Sequence, residues 1–196
     1  MASADPPDDI IRRVVALLDA SGVPYMLTGS FASSLHGAPR ATQDIDIVIA
    51  PDRNSLRSLL SKFSDDEYYV SREAAFASER DAGLFNVLHY QSGWKIDFIM
   101  RKPRAFSLAE FERRVETQVL GITLQVASAE DVLIAKLEWA KLSGSERQID
   151  DAAGIILTQG PDLDTAYVER WVKALGLDAE WTGAKQKATG SVPNSG

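Results

Sequence analysis

A short run of alternating acidic and branched apolar residues, Asp44–Ile49, constrains the fold of this chain more than any other segment. Alternation with a period of two predicts a β-strand, with Asp44, Asp46 and Val48 on one side and the isoleucines on the other. Two carboxylates on the same face of an apolar strand repel each other and lose hydration near the sheet. A divalent cation such as Mg²⁺, which binds carboxylate oxygens, is the commonest counter-ion for such a pair. For the pair taken alone, however, a solvated strand end is the favoured interpretation.

A Gly-Ser pair, Gly29 and Ser30, follows the apolar, β-prone run Val23–Thr28 and precedes a segment compatible with one or two helical turns, Phe31–Leu35. This order predicts a strand, a tight turn and a helix. Glycine lets the backbone approach a ligand, and the free amides at a helix N-terminus bind phosphate oxygens. The turn thus offers amides and the Ser30 hydroxyl to a phosphate.

A single acid, Asp97, lies in the middle of the apolar run Trp94–Met100. An unpaired carboxylate is costly there. If this strand neighbours the first, Asp97 completes a cluster of three carboxylates with Asp44 and Asp46. Three acids can hold two metal ions about 3.5–4 Å apart, an arrangement that serves phosphoryl and nucleotidyl transfer. Asp97 is then also placed to accept the proton of an attacking hydroxyl.

The composition excludes several classes of function. The 196 residues carry a formal charge of −7, which argues against a protein that coats nucleic acid through bulk positive charge. The absence of cysteine excludes thiolate zinc sites and cysteine nucleophiles, and we assign no role to the two histidines, His36 and His89. No apolar run approaches the roughly 20 residues of a membrane span, and the N-terminus is acidic, so we expect no membrane partner and a cytoplasmic protein.

The order of apolar patterns predicts an α/β (α+β) fold, with a mixed, twisted β-sheet core, flanking helices and a helical C-terminal part. We expect a loose leader at residues 1–9 and a core at 10–127. Residues 128–181 are expected to form helices packed on that core. Residues 182–196 are rich in Gly, Ser and Lys and are predicted to be a disordered tail.

Three stretches together resemble the signature of the nucleotidyltransferase (DNA polymerase β-like) superfamily: Leu27–Ser30, Asp44–Ile47 and Ile96–Phe98. They supply a Gly-Ser turn, an Asp-x-Asp strand and a later lone Asp. More closely, TGSFASSLHGAPRATQDIDIVI, VASAEDVLIAKLEWA and ERQIDDAAGIIL resemble the minimal bacterial branch that includes the AbiEii-type toxin nucleotidyltransferases. The resemblance extends over about residues 23 to 160.

The resemblance implies an enzyme that transfers a nucleoside monophosphate from an NTP to a hydroxyl and releases pyrophosphate. It implies that Gly29 and Ser30 hold the nucleotide phosphates, and that Asp44, Asp46 and Asp97 ligate two Mg²⁺ ions, or Mn²⁺ in their place. A tRNA 3′ end, a protein hydroxyl and a small molecule such as an aminoglycoside are all consistent acceptors. The resemblance also implies a toxin–antitoxin or defence role with a cognate toxin or antitoxin partner.

Further residues are weaker candidates for the active site or for nucleotide binding. Lys136 lies inside the apolar arc of its helix; in AbiEii-like proteins a lysine of this helix belongs to the active site and reaches the triphosphate. The alternative is a lysine whose stem packs on apolar surface while its ammonium stays in water. Arg40 and Thr42 flank the acidic strand as nucleotide-binding candidates, with capping or solvation as alternatives. Asp150 and Asp151 match an acidic position of the family, or are solvated helix acids.

The segment Arg101–Arg114 carries five basic and two acidic residues. It is a candidate contact for RNA or another polyanion, although a solvated connection is the favoured interpretation of so short a charge run.

Two other classes of function stay open at this point. The first is a non-catalytic nucleotidyltransferase-like protein that serves as a binding or antitoxin module. The second is a nucleotide-sugar glycosyltransferase with Asp44-x-Asp46 as its metal motif, but it leaves Gly29-Ser30 and Asp97 unexplained.

Overall fold

The computed structural model describes residues 7–37, 44–119 and 121–190. Its strands are β1 (Tyr25–Thr28), β2 (Asp44–Ile49), β3 (Tyr68–Val70), β4 (Leu84–His89), β5 (Lys95–Met100), β6 (Val115–Val119) and β7 (Ile122–Val126). Its helices are α1 (Pro7–Ala20), α2 (Gly29–His36), α3 (Arg53–Lys62), α4 (Arg72–Asp81), α5 (Ala105–Glu112), α6 (Ala129–Ser143), α7 (Glu146–Gln159), α8 (Thr165–Leu175) and α9 (Asp178–Gly190). A short 3-10 turn, Gly160–Asp162, follows α7.

The strands form one mixed seven-stranded sheet in the order β3-β4-β5-β2-β1-β7-β6. The β2–β5 and β1–β7 pairs are parallel, and the other neighbours are antiparallel. This mixed sheet with its helices confirms the predicted α+β fold class.

The described residues cluster into two compact units. The first contains the sheet with α1, α3, α4, α5 and the start of α2, through Phe31; the second contains the rest of α2, from Ala32, and the helices from α6 onward. The sequence pattern predicts that Ala32–Gly37 belongs to the core, whereas its contacts group this segment with the C-terminal helices.

In the first unit, the alternating residues of β2 and β5 separate a buried face from a polar face. Ile45, Ile47, Ile96 and Phe98 are almost completely buried. The ring of Phe98 stacks on Phe85 of β4, with 5.1 Å between the ring centroids. Burial of these side chains fixes the register of the central strands, because a slip by one residue would move the whole apolar set to the other face. The same register fixes the acidic residues on the opposite face.

In the second unit, a buried polar contact joins α6 to α8. Asp131 is fully buried and accepts hydrogen bonds from Ser128 Oγ at 2.8 Å and Tyr167 Oη at 2.7 Å. Ser128 also caps α6, since its hydroxyl accepts from the Asp131 backbone amide. A buried carboxylate needs such partners.

The predicted disordered tail is wrong for residues 182–190, which belong to α9. Trp181, Ala184 and Ala188 are buried at helical spacing, so α9 has an apolar stripe made of one large residue and two small ones. The predicted leader is also too long, because α1 begins at Pro7. Residues 1–6 and 191–196 lie outside the described part of the chain. None of the described helices combines the length and the apolar character that crossing a lipid bilayer requires.

Candidate active site

Four neighbouring strands of the first unit bring polar residues into one row across the sheet. Asn86 on β4 pairs with Asp97 on β5, Asp97 with Asp46 on β2, and Asp46 with Thr28 on β1. Residues paired in this way share a face, and neighbouring strands are about 4.8 Å apart. The carboxylates of Asp46 and Asp97 therefore lie side by side, although 51 residues of sequence separate them. We call Asn86, Asp97, Asp46 and Thr28 the polar row.

Asp44 lies two residues before Asp46 on β2, on the same face, and is paired in register with Lys95 of β5. The Lys95 ammonium lies 2.9 Å from Asp97 Oδ2 and 3.5 Å from Asp44 Oδ1. The three predicted carboxylates thus share one face of the β2–β5 pair, and a lysine contacts two of them.

Asp97 is largely enclosed, with only 15% of its side chain exposed. Its Oδ1 accepts a hydrogen bond from Asn86 Nδ2 at 2.6 Å, and its Oδ2 accepts from Lys95 Nζ. The hydrogen bond to Asp97 is the main cause that raises the pKa of Lys95 above its usual range. Asp97 therefore has a partner at each carboxylate oxygen.

Neither partner of Asp97 is among the residues predicted from the sequence. Lys95 precedes Asp97 by two residues in a strand, and this spacing alone places it on the same face. Asn86 has no comparable signal, because its approach depends on the register of β4 against β5.

The turn at Gly29 meets Asp46 directly. Gly29 has a φ of +63°, and a Cβ built on it would lie 2.0 Å from Asp46 Oδ2 and 2.6 Å from Asp46 Cγ. Only glycine both adopts this backbone conformation without strain and leaves room for the carboxylate. Ser30 follows in the first turn of α2. The structure therefore brings the predicted Gly-Ser turn to the Asp-x-Asp strand.

The donor set of this face has the chemistry of a site for a hard divalent cation, since carboxylate oxygens are the ligands that Mg²⁺ prefers. As the side chains stand, however, no three His, Cys, Asp or Glu residues in the described part of the chain are grouped closely enough to hold a metal ion. The Lys95 ammonium, a cation of the chain itself, contacts both Asp44 and Asp97.

Lys136 lies in the second unit, where α6 faces α7. Its side chain is only 5% exposed, and its ammonium lies 2.8 Å from Asp151 Oδ2. The apolar arc of the helix correctly places Lys136 inside, but its ammonium meets a carboxylate and not water. Asp150, the neighbour of Asp151, instead pairs with Lys187 of α9 at 2.6 Å, so the two acids have different partners.

In the basic segment after β5, several guanidinium groups stack on aromatic rings of the first unit. The side chains of Arg101 and Arg114 lie over the ring of Phe111, and Arg104 lies over Phe106. Stacking of this kind is a structural role for a cation. Arg40 and Thr42, the other nucleotide-binding candidates, lie outside the described residues.

No protein-family model matches the chain, and comparison with curated proteins gives no match either. Solved structures do match. A nucleotidyltransferase-like protein from Paracoccidioides brasiliensis superposes with a TM-score of 0.55 at 17% identity, over 92% of this chain and 94% of the other.

Two antibiotic-related proteins are similar to the same degree. The antibiotic-resistance factor ANT(2'')-Ia gives a TM-score of 0.53 at 16% identity, over 86% of this chain and 94% of its own. The lincosamide antibiotic adenylyltransferase LnuA gives 0.53 at 16% identity, over 78% and 98%. These similarities confirm the predicted fold, and the AbiEii branch stays a prediction. The chain has the nucleotidyltransferase fold.

Proposed function

We propose that this protein is a Mg²⁺-dependent nucleotidyltransferase that moves a nucleoside monophosphate from an NTP to a hydroxyl acceptor. The observation that carries the proposal is the meeting of three separate segments: Asp97 lies in register with Asp46, and Gly29 lies against the Asp46 carboxylate. A structural role alone does not explain why two carboxylates lie side by side at a positive-φ glycine.

In the proposed reaction, the acceptor hydroxyl oxygen forms a bond to the α-phosphorus of the NTP. The bond between that phosphorus and the oxygen bridging to the β-phosphate breaks, and pyrophosphate leaves. Asp97 accepts the proton of the hydroxyl at one of its two carboxylate oxygens, each of which accepts one hydrogen bond from the chain. Mg²⁺ held by Asp44, Asp46 and Asp97 would supply charge neutralisation at the phosphates and activation of the hydroxyl.

The Gly29-Ser30 turn is proposed to bind the phosphates of the nucleotide. Its position at the start of α2 supports this role, because the helix dipole favours negative charge at the N-terminus of a helix. Lys136, Arg40 and Thr42 stay proposals as nucleotide-binding residues.

The surface beside the polar row favours an uncharged or cationic acceptor over a polyanion. Asp44 is 58% exposed on this face. Next to Asn86 on the same face, Leu84 and Leu88 of β4 and Tyr69 of β3 are exposed apolar side chains. Such a strip suits a hydroxylated small molecule or a protein side chain, whereas the acidic residues repel an RNA backbone.

One observation favours a second candidate, the non-catalytic binding module. Both oxygens of Asp97 already accept hydrogen bonds, and the described residues include no group of three ligands gathered for a metal. A toxin–antitoxin or defence role, which either candidate could serve, rests on the sequence resemblance alone.

The test is incubation of the full chain with each α-labelled NTP and Mg²⁺ or Mn²⁺, in the presence of tRNA, cell protein or a panel of aminoglycosides and lincosamides. We expect label transfer to one acceptor class, and we expect Asp46→Asn and Asp97→Asn to abolish it. The matched control is Asp66→Asn, an exposed loop acid, which should transfer at the wild-type rate. Nucleotide binding without transfer would support the binding module instead.

A further inference from the structure

The register of β2 against β5 brings a lysine into the carboxylates of the candidate site. Lys95 and Asp97 are two residues apart on one strand and share its face, while Asp44 is paired directly with Lys95. The single ammonium contacts both acids, at 2.9 Å and 3.5 Å. A cation of the chain itself thus contacts two of the three predicted metal ligands.

The two hydrogen-bond partners of Asp97, Asn86 and Lys95, differ in how readily they can move away from its carboxylate. Asn86 has a short side chain on a residue that pairs with Asp97 across the β4–β5 ladder, so its position is fixed by the sheet. Lys95 reaches Asp97 with a long, flexible side chain that is 42% exposed. A group that needs Asp97 Oδ2 therefore gains access by displacing the Lys95 ammonium.

We propose that Lys95 is a built-in competitor of the divalent cation: it holds Asp44 and Asp97 in the metal-free protein, and a cation binds by displacing its ammonium from Asp97. This inference rests on the proposed metal-dependent function. Lys95 acts here as a positioning residue, because its ammonium offsets part of the charge of Asp44 and Asp97 until the cation arrives.

The proposal predicts the direction in which removal of the Lys95 charge changes metal affinity. A neutral residue at position 95 removes the ammonium from Asp44 and Asp97, so a divalent ion no longer competes with that ammonium for these two carboxylates. We expect Lys95→Gln to bind Mn²⁺ about two- to fivefold more tightly than the wild-type protein, the factor expected from loss of one partly exposed ion pair.

The experiment is titration of the full chain with Mn²⁺ alone, followed by isothermal calorimetry and by the decrease of the free Mn²⁺ signal in electron paramagnetic resonance. Lys62→Gln, at the exposed end of α3, removes the same charge at a distance from the polar row and should bind Mn²⁺ as the wild type does. Lys95→Arg keeps the cation and should not gain affinity. Lys95→Met is a second neutral variant, so that a folding defect peculiar to glutamine does not decide the result.

Tighter Mn²⁺ binding by the neutral Lys95 variants, with Lys62→Gln and Lys95→Arg unchanged, is the expected result. Equal or weaker binding by both neutral variants, while the wild type binds Mn²⁺, overturns the competitor role and leaves the proposed function standing. Absence of Mn²⁺ binding in the wild type and all variants overturns both the competitor role and the metal-dependent function.

Discussion

At the scale of single residues, Gly29 is the position where the candidate site depends most on the absence of a side chain. Its φ of +63° is one reason, and the Asp46 carboxylate, which occupies the space of a Cβ, is the other. The Asp46 side chain therefore has its present place only because position 29 is glycine. The Asp-x-Asp motif and the Gly-Ser turn act as one structural unit.

Gly29→Ala is expected to lower the free energy of unfolding by about 2–4 kcal/mol, since it adds both backbone strain and a steric clash. Gly22→Ala is the matched control, because Gly22 has the same φ and no atom lies within 4 Å of the place that its Cβ would take. The control should lose only about 1–2 kcal/mol, the cost of the conformation itself. Urea unfolding of the two variants measures the difference; equal losses would mean that the Asp46 contact costs nothing.

Lys95 shows why single residues of the site were only partly predictable from sequence. The three acids and the Gly-Ser turn stand out because each is anomalous in its own segment. A lysine at the first position of a strand is unremarkable, and its contact with Asp44 exists only because β2 and β5 are parallel and in register. The sequence pattern could not supply that register.

At the scale of elements, ion pairs in very different surroundings join α7 to the neighbouring helices. Lys136 and Asp151, between α6 and α7, are 5% and 15% exposed. Lys187 and Asp150, between α9 and α7, are 38% and 60% exposed. Since water screens the second pair far more, the coupling energy of the buried pair should be larger than that of the exposed pair.

Double-mutant cycles with Lys136→Met and Asp151→Asn should give a coupling energy of about 2–4 kcal/mol in the free energy of unfolding. The cycle with Lys187→Met and Asp150→Asn serves as the exposed comparison, and its coupling should be below about 1 kcal/mol. Chemical denaturation of both sets gives the values. A coupling at the buried pair no larger than at the exposed one would contradict the structural role of Lys136.

Helix α9 is an element that the local sequence pattern does not predict. The helices α7 and α8 have large apolar residues that recur with a clear helical period. In α9, the buried positions after Trp181 are alanines, and the residues around them are Gly, Thr, Lys and Gln. This composition is typical of a disordered tail, so it does not predict the helix. Packing against α7 decides the structure of this segment, and that contact is invisible in a local pattern.

Ala184→Asp places a charge at a fully buried position of α9 and should destabilise the protein by about 2–4 kcal/mol. Gln186→Asp, two residues later on the exposed side, is the control and should stay within about 0.5 kcal/mol of the wild type. Thermal unfolding followed by circular dichroism compares the two. Equal unfolding temperatures of the two variants would show that α9 does not pack as described.

At the scale of the whole molecule, we predict that the fold does not depend on a bound metal, because Lys95 contacts two of the acids. Chelation with EDTA should therefore abolish nucleotidyl transfer while the unfolding temperature changes by less than about 2 °C. Excess Mn²⁺ should raise that temperature, because a ligand that binds only the folded state stabilises it. Thermal scans with and without each reagent, beside the transfer assay, make the comparison. Unfolding on chelation would show that the metal holds the fold together.

The most direct test of nucleotidyl transfer follows the two ends of the triphosphate separately, with ATP or the preferred NTP labelled at either the α- or the γ-phosphorus. We predict that the α-label appears on the acceptor and the γ-label in pyrophosphate, in equal amounts, and that Asp97→Asn abolishes both. Appearance of the γ-label on the acceptor, or full transfer by Asp97→Asn, would contradict nucleotidyl transfer at this site.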